Sequence, residues 1–243
     1  MTANSPIVTP IGVQPLQGRR VILERLAPEH ASFLVQCYRN DEFMDLYRLA
    51  QQRNQTEEEI KQRLVKEQAV LPEQMKRIEW VIYHIKNNGD KQPIGLGSLA
   101  DYKENHRRAE LLMGTLLPEY RGTKTLMEAI LLIMDFAFNQ VKLNKLIAYA
   151  YGYNQHAQEN LTSLGFIQEG LLRQHIYSKK GFIDLYINGL LVDDFRKNQR
   201  LSRFSQRLLG IDITNKPNSQ QKLSDEYVAN KQADIFKMVM STR

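Results

Sequence analysis

The chain has 243 residues, 33 Lys and Arg against 27 Asp and Glu, a net charge of +6, and 42% hydrophobic and 25% charged residues. Such a composition excludes a disordered or collagenous chain, and the length suits one large globular domain with or without an extension. A single cysteine, Cys37, excludes an internal disulfide framework and a multi-cysteine metal site, and predicts a reducing, cytoplasmic setting.

The first 20 residues carry no apolar run behind a positive cluster, so no secretory signal is expected. The greasiest stretch, Leu126 to Phe138, includes Glu128 and Asp135. It falls short of the roughly 20 apolar residues of a membrane span, so no transmembrane segment is expected. Residues 1–195 hold 23 basic and 23 acidic side chains, whereas residues 196–243 hold 10 and 4. The basic excess therefore belongs to the tail, and a charge-balanced body argues against nucleic acid as the partner.

In chain order, residues 1–18 read as an extended N-terminal arm. Arg20 to Leu26 reads as a strand, and Pro28 opens a helix over Glu29 to Tyr38. Thr56 three residues before Glu59 is a capping box, predicting a helix to Val70. Glu79 to Lys86 and Ile94 to Ala100 form a hairpin about the turn Asn87-Asn88-Gly89-Asp90. Ala109 to Leu117, nearly all apolar, reads as a strand buried on both faces and closed by Pro118. Leu126 to Gln140 is predicted as a core helix, Lys145 to Tyr153 as a strand, and Gln155 to Ser163 as a helix stopped by Gly165. Phe166 to Val192 reads as two strands about Lys179-Lys180-Gly181. The order predicts an α/β fold with a mixed sheet.

A strand leading through a polar loop into a buried helix is a device for holding anions. The helix start leaves about four N–H groups without partners and adds about half a positive charge. Arg121 and Lys124 stand at that point, so the alternatives are a phosphate-bearing ligand or a solvated turn.

Further short elements follow in order: Ala109-Glu110, Pro118 to Gly122, Leu143-Asn144-Lys145, Asn154, Leu164-Gly165-Phe166, Glu169-Gly170, Arg173, and Gly181 with Asp184. Together they resemble the GNAT acyltransferase superfamily over about residues 20–195, and within it the branch that includes ribosomal-protein N-acetyltransferases. The resemblance implies that the parallel strands Glu110–Leu117 and Lys145–Tyr153 splay apart to take the pantetheine arm of acetyl-CoA or another acyl-CoA, with no metal. It implies that the arm meets the backbone of Leu116 and Leu117 and the side chain of Asn154. The pyrophosphate would sit on Arg121, Gly122, Thr123, Lys124 and Thr125. An amine on a small molecule, peptide or protein would attack the thioester directly.

Glu110 occupies the strand position of a common base of that family, where an apolar strand raises a carboxyl pKa by desolvation; the alternative is an ion pair with Arg107 or Arg108. Glu79, beside Trp80, is the second candidate base, or else a solvent-facing strand end. The phosphate loop departs from the family's Arg-Gly-x-Gly-x-Gly/Ala pattern at Lys124 and Leu126. A side chain at Lys124 either crowds the pyrophosphate or pairs with it. The Ser and Tyr that often follow the Asn in this family are Ala157 and Leu161 here, so His156 and Tyr153, with Tyr177 and Tyr186 behind them, become the candidate thiolate acids.

Arg196, Lys197, Arg200, Arg203 and Arg207 alternate with Phe195, Leu201, Phe204, Leu208 and Leu209, predicting a basic amphipathic helix ended by Gly210. Its apolar set would dock on the body, or its basic set would meet an acidic partner or an anionic lipid surface. Residues 211–232 read as a linker, and Ala233 to Met240 as a short helix that caps a groove or meets a second subunit of a homodimer. An acyl group carried on an acidic carrier protein, and a GNAT-like scaffold that binds without catalysis, are the alternative functional readings.

Overall fold

The computed structural model describes residues 14–47, 53–70, 74–178 and 181–216. The elements are β1 (Leu16–Gln17), β2 (Val21–Arg25), α1 (Ala31–Arg39), α2 (Asp41–Tyr47), α3 (Glu57–Gln68), β3 (Ile78–Ile85), β4 (Lys91–Lys103), β5 (Arg108–Thr115) and α4 (Lys124–Asp135). After these come β6 (Lys145–Tyr151), α5 (Gln155–Ser163), β7 (Ile167–Ser178), β8 (Gly181–Leu191), α6 (Val192–Lys197) and α7 (Gln199–Leu209). Short 3-10 turns lie at Pro28–His30 and Pro118–Tyr120.

One eight-stranded mixed sheet orders the strands β1-β2-β3-β4-β5-β6-β8-β7. Every pairing is antiparallel except β5 with β6. The two-residue period of the strands divides the core between the faces. Ile78, Trp80 and Ile82 of β3 join Ala109 and Leu111 of β5 beneath α4, whereas Val81, Leu96 and Leu112 face the layer of α1 to α3. The strand over Ala109 to Leu117 is thus covered on both sides, as its continuous apolarity predicts.

Packing of α4 is close because β4 thins beneath it: a Cβ on Gly97 would stand 2.6 Å from Cδ1 of Ile133. Glu128, expected as a polar interruption of this helix, is 1% exposed. Its carboxylate accepts the backbone N–H groups of Arg19 and Arg20, which fixes the start of β2. The predicted helix end at Gln140 is a π-turn over Phe136–Gln140, in which Val141 N–H donates to Phe136 carbonyl at 2.9 Å.

Asn198 breaks the predicted tail helix into α6 and α7 and caps the second, accepting from the N–H groups of Arg200 and Leu201. Leu201, Ser205 and Leu208 bury one face of α7 against α4, and Phe195 stacks on Phe138 at 4.4 Å. The segment expected to begin a linker differs. Ile213 and Thr214 are 1% and 5% exposed, and the Arg196 guanidinium donates to the carbonyls of both and of Asn215. These contacts are long-range side chain to backbone, which helical periodicity does not report. The expected helix at Ala233 to Met240 lies outside the described residues.

Candidate acyl-transfer site

β5 and β6 pair through only three rungs: Arg108 with Lys145, Ala109 with Leu146, and Glu110 with Ile147. Each strand then follows its other neighbour. β5 stays on β4 as far as Thr115 opposite Gly95, and β6 stays on β8 as far as Tyr151 opposite Leu185. A wedge opens between the two parallel strands immediately after Glu110. Leu116 N–H donates to Ile94 carbonyl at 2.9 Å, which turns it toward β4. Backbone alternation then directs the peptide groups of Met113 and Thr115 into the wedge. Leu117 N–H contacts Thr115 Oγ1 at 3.3 Å. Met113 and Thr115 are thus strand residues whose peptide groups face the gap, next to Leu116 and Leu117, on which the sequence resemblance placed the pantetheine contacts.

The anion loop lies at the wide end of the wedge. Arg121 N–H donates to Pro118 carbonyl and Thr123 N–H to Tyr120 carbonyl, so neither is offered to a ligand. Met127 makes the first helical bond, to Thr123 carbonyl at 3.1 Å, leaving Lys124, Thr125 and Leu126 N–H groups ahead of it. Thr123 is the N-cap residue, yet its hydroxyl donates backward to Tyr120 carbonyl at 2.7 Å and makes no cap bond. An uncapped helix start keeps its donors for an anion. Gly122 adopts φ +67°, a region glycine enters without steric cost. Arg121 turns its guanidinium to the Glu42 carboxylate on α2, which holds Glu42 below the usual carboxylate range.

The second wall is the end of β6 with the start of α5. Asn154 Oδ1 caps α5 by accepting from Ala157 N–H at 3.1 Å. Tyr153 is half exposed and stacks on Tyr151 at 5.5 Å; burial and the Asp45 carboxylate push its phenol upward. His156 lies against the anion loop: a Cβ on Gly122 would stand 3.7 Å from its Nε2. Tyr177 is 76% exposed near the tip of the β7–β8 hairpin, and Tyr186 pairs with Ala150.

The two candidate bases share one face of the sheet but differ in access. Glu110, half-buried, sits at the last rung of the wedge. Arg107, proposed as its ion-pair partner, gives its guanidinium to Lys142 carbonyl, and Arg108 pairs with Asp101 at 2.8 Å. Glu79 is 3% exposed, so it is no solvent-facing strand end. It accepts a 2.9 Å hydrogen bond from Tyr47 of α2, and burial pushes its carboxyl upward.

Helix α2 escaped the sequence reading although it roofs the wedge. Gly114 of β5 takes the rings of Phe43 and Tyr47, each 3.0 Å from where a Cβ would stand. A signal was present: Asn40 Oδ1 accepts from Phe43 N–H at 2.7 Å, and Asp41 and Glu42 occupy the first turn.

A wedge between parallel strands with an uncapped helix start at its mouth can hold an extended thioester and its phosphates. Comparison with known proteins agrees. The acetyltransferase (GNAT) domain profile matches residues 20–167. The uncharacterized N-acetyltransferase YoaA of Bacillus subtilis is 27% identical over 164 residues, covering 67% of this chain and 88% of that protein. Among solved structures, spermidine N-acetyltransferase from Vibrio cholerae, in complex with CoA and spermine, has a TM-score of 0.60 at 20% identity, covering 71% of this chain and 95% of that one. A GNAT-family structure from Chromobacterium violaceum has a TM-score of 0.61 at 19% identity, covering 80% and 98%. The chain belongs to the GNAT acetyltransferase family and is an N-acetyltransferase that uses acetyl-CoA as its co-substrate.

Proposed function

We propose that the wedge between β5 and β6 is where the acetyl group passes to an amine, with Glu110 as the base. The observation that carries this reading is the end of β5–β6 pairing directly after Glu110 and Ile147. It puts a half-buried carboxylate at the foot of the only parallel gap among the described strands. Acetyl-CoA supplies an activated acyl carbon. The gap-facing peptide groups of Met113 and Thr115, with Asn154 opposite, would hold its pantetheine arm, and Gly122, Lys124 and Thr125 its diphosphate.

Glu110 takes a proton from the acceptor ammonium, so that the free amine attacks the thioester carbonyl; the C–S bond then breaks, and the nitrogen releases its second proton to water as the amide forms. The departing thiolate then takes a proton from the Tyr153 phenol, which is half exposed and regains its proton from solvent. Glu79 fits the role of base less well than Glu110, since Tyr47 and the α2 roof separate it from solvent.

The catalytic body is assigned to residues 19–195, with residues 196–216 docked on it. No helix among the described residues is long and apolar enough to cross a membrane. The lone cysteine, Cys37, is a buried free thiol, which fits a reducing, cytoplasmic setting. Release of free thiol from acetyl-CoA tests the assignment against an amine panel of polyamines, aminoglycoside-type amines and peptide N-termini, including those of ribosomal proteins. Turnover with one amine class that collapses in Glu110→Gln is expected; full activity in that variant sinks the base. Faster transfer from an acyl-carrier protein than from acetyl-CoA would reassign the donor.

A further inference from the structure

We infer that His156 binds the diphosphate of acetyl-CoA from the α5 side, as a ligand-holding residue rather than a proton donor to the thiolate; the inference rests on the acyl-CoA reading above. Nε2 of His156 lies 3.7 Å from the position a Cβ would take on Gly122. Gly122 belongs to the anion loop and has no side chain, so an oxygen seated over that residue comes within reach of the imidazole. Both residues are exposed, which leaves the imidazole accessible to a ligand entering from solvent.

Three further observations converge on this place. First, Arg121, the cation expected to meet the phosphates, is turned to Glu42, and its Nε is buried without a hydrogen bond. Second, His156 is the second residue of α5 and Gly122 lies two residues before α4, so the imidazole links the start of one helix to the loop that enters the other. Third, Lys124 and Leu126 place side chains in the first turn of α4, directly after the Gly122 loop. Side chains there restrict how closely the backbone approaches an oxyanion, and donors on side chains offset that restriction. Lys124 opens α4 two residues after Gly122, and His156 lies beside Gly122. The carboxylate nearest along α5, Glu159, accepts from Gln155 Nε2 at 3.1 Å.

Titration calorimetry with CoA on the full chain, comparing wild type with His156→Ala and His156→Arg, tests the assignment alongside kcat at saturating acetyl-CoA. A charge-assisted hydrogen bond to phosphate predicts CoA affinity about 10-fold weaker in His156→Ala, restored by Arg. Because His156 is exposed, both variants are expected to fold. Unchanged CoA affinity in His156→Ala overturns the inference, as does a loss that Arg fails to restore. A wild type that binds no CoA overturns the acyl-CoA reading itself.

Discussion

The carboxylate of Glu42 on α2 pairs with the guanidinium of Arg121 in the anion loop, so the roof of the wedge and its phosphate end share one ion pair. Arg121 cannot serve a diphosphate fully while Glu42 holds it. Glu42→Gln is therefore expected to tighten CoA binding, most visibly at low salt, as read by calorimetry. The pair depresses the Glu42 carboxyl, so its contribution is present above the ordinary Glu value and is lost as pH falls through the lowered one. Unaltered affinity in Glu42→Gln would mean that Arg121 stays out of the phosphate site.

Glu110→Gln keeps the shape of the strand and removes the base. A general base is worth about 10²- to 10⁴-fold, and a loss in kcat of that size is expected, with CoA affinity retained. Steady-state rates and CoA titration of the variant check both.

Tyr47 and Glu79 join α2 to β3 by a hydrogen bond between two buried groups. Tyr47→Phe leaves a buried carboxyl short of a donor, at a cost of about 1–3 kcal/mol in denaturant unfolding. Burial raises the Glu79 carboxyl in the folded state, so the stability it contributes is present below its unfolded value and lost as pH rises through its folded one. Glu79→Gln should flatten that decline, since an amide does not ionise. Melting curves over a pH series show whether it does.

Leu201 of α7 is fully buried against the body, in the part of the chain that carries the whole net charge. Leu201→Ala is expected to destabilise the entire fold by about 2–5 kcal/mol, in one cooperative transition. Independent melting of the tail, with the body unaffected, would contradict the packing of α7 on α4.

The sheet was legible in the sequence wherever one face or one turn specified it. Asn87 to Asp90 marked the β3–β4 hairpin, Thr56 and Glu59 marked the start of α3, and Gly210 marked the end of α7 with φ +83°. The position of the wedge followed from the ordered motifs rather than from periodicity, because β5 and β6 are apolar along their length and do not announce where they part. What stayed hidden depends on partners far apart in the chain. Glu128 reads as a charge interrupting a core helix until the N–H groups of Arg19 and Arg20, more than 100 residues away, close over it. Glu79 reads as a strand end until Tyr47 and α2 cover it. The place of His156 beside Gly122 joins the first turn of a helix to a distant loop, which the composition of neither segment contains.

The central claim is that the wedge takes acetyl-CoA along β5, with its diphosphate on the start of α4. Amide hydrogen exchange, measured with and without saturating CoA, tests this most directly. The account predicts new protection confined to Met113, Thr115, Gly122 and the segment Lys124 to Leu126, with a smaller effect at the start of α5. Protection elsewhere on the molecule, with these amides exchanging as before, would contradict it.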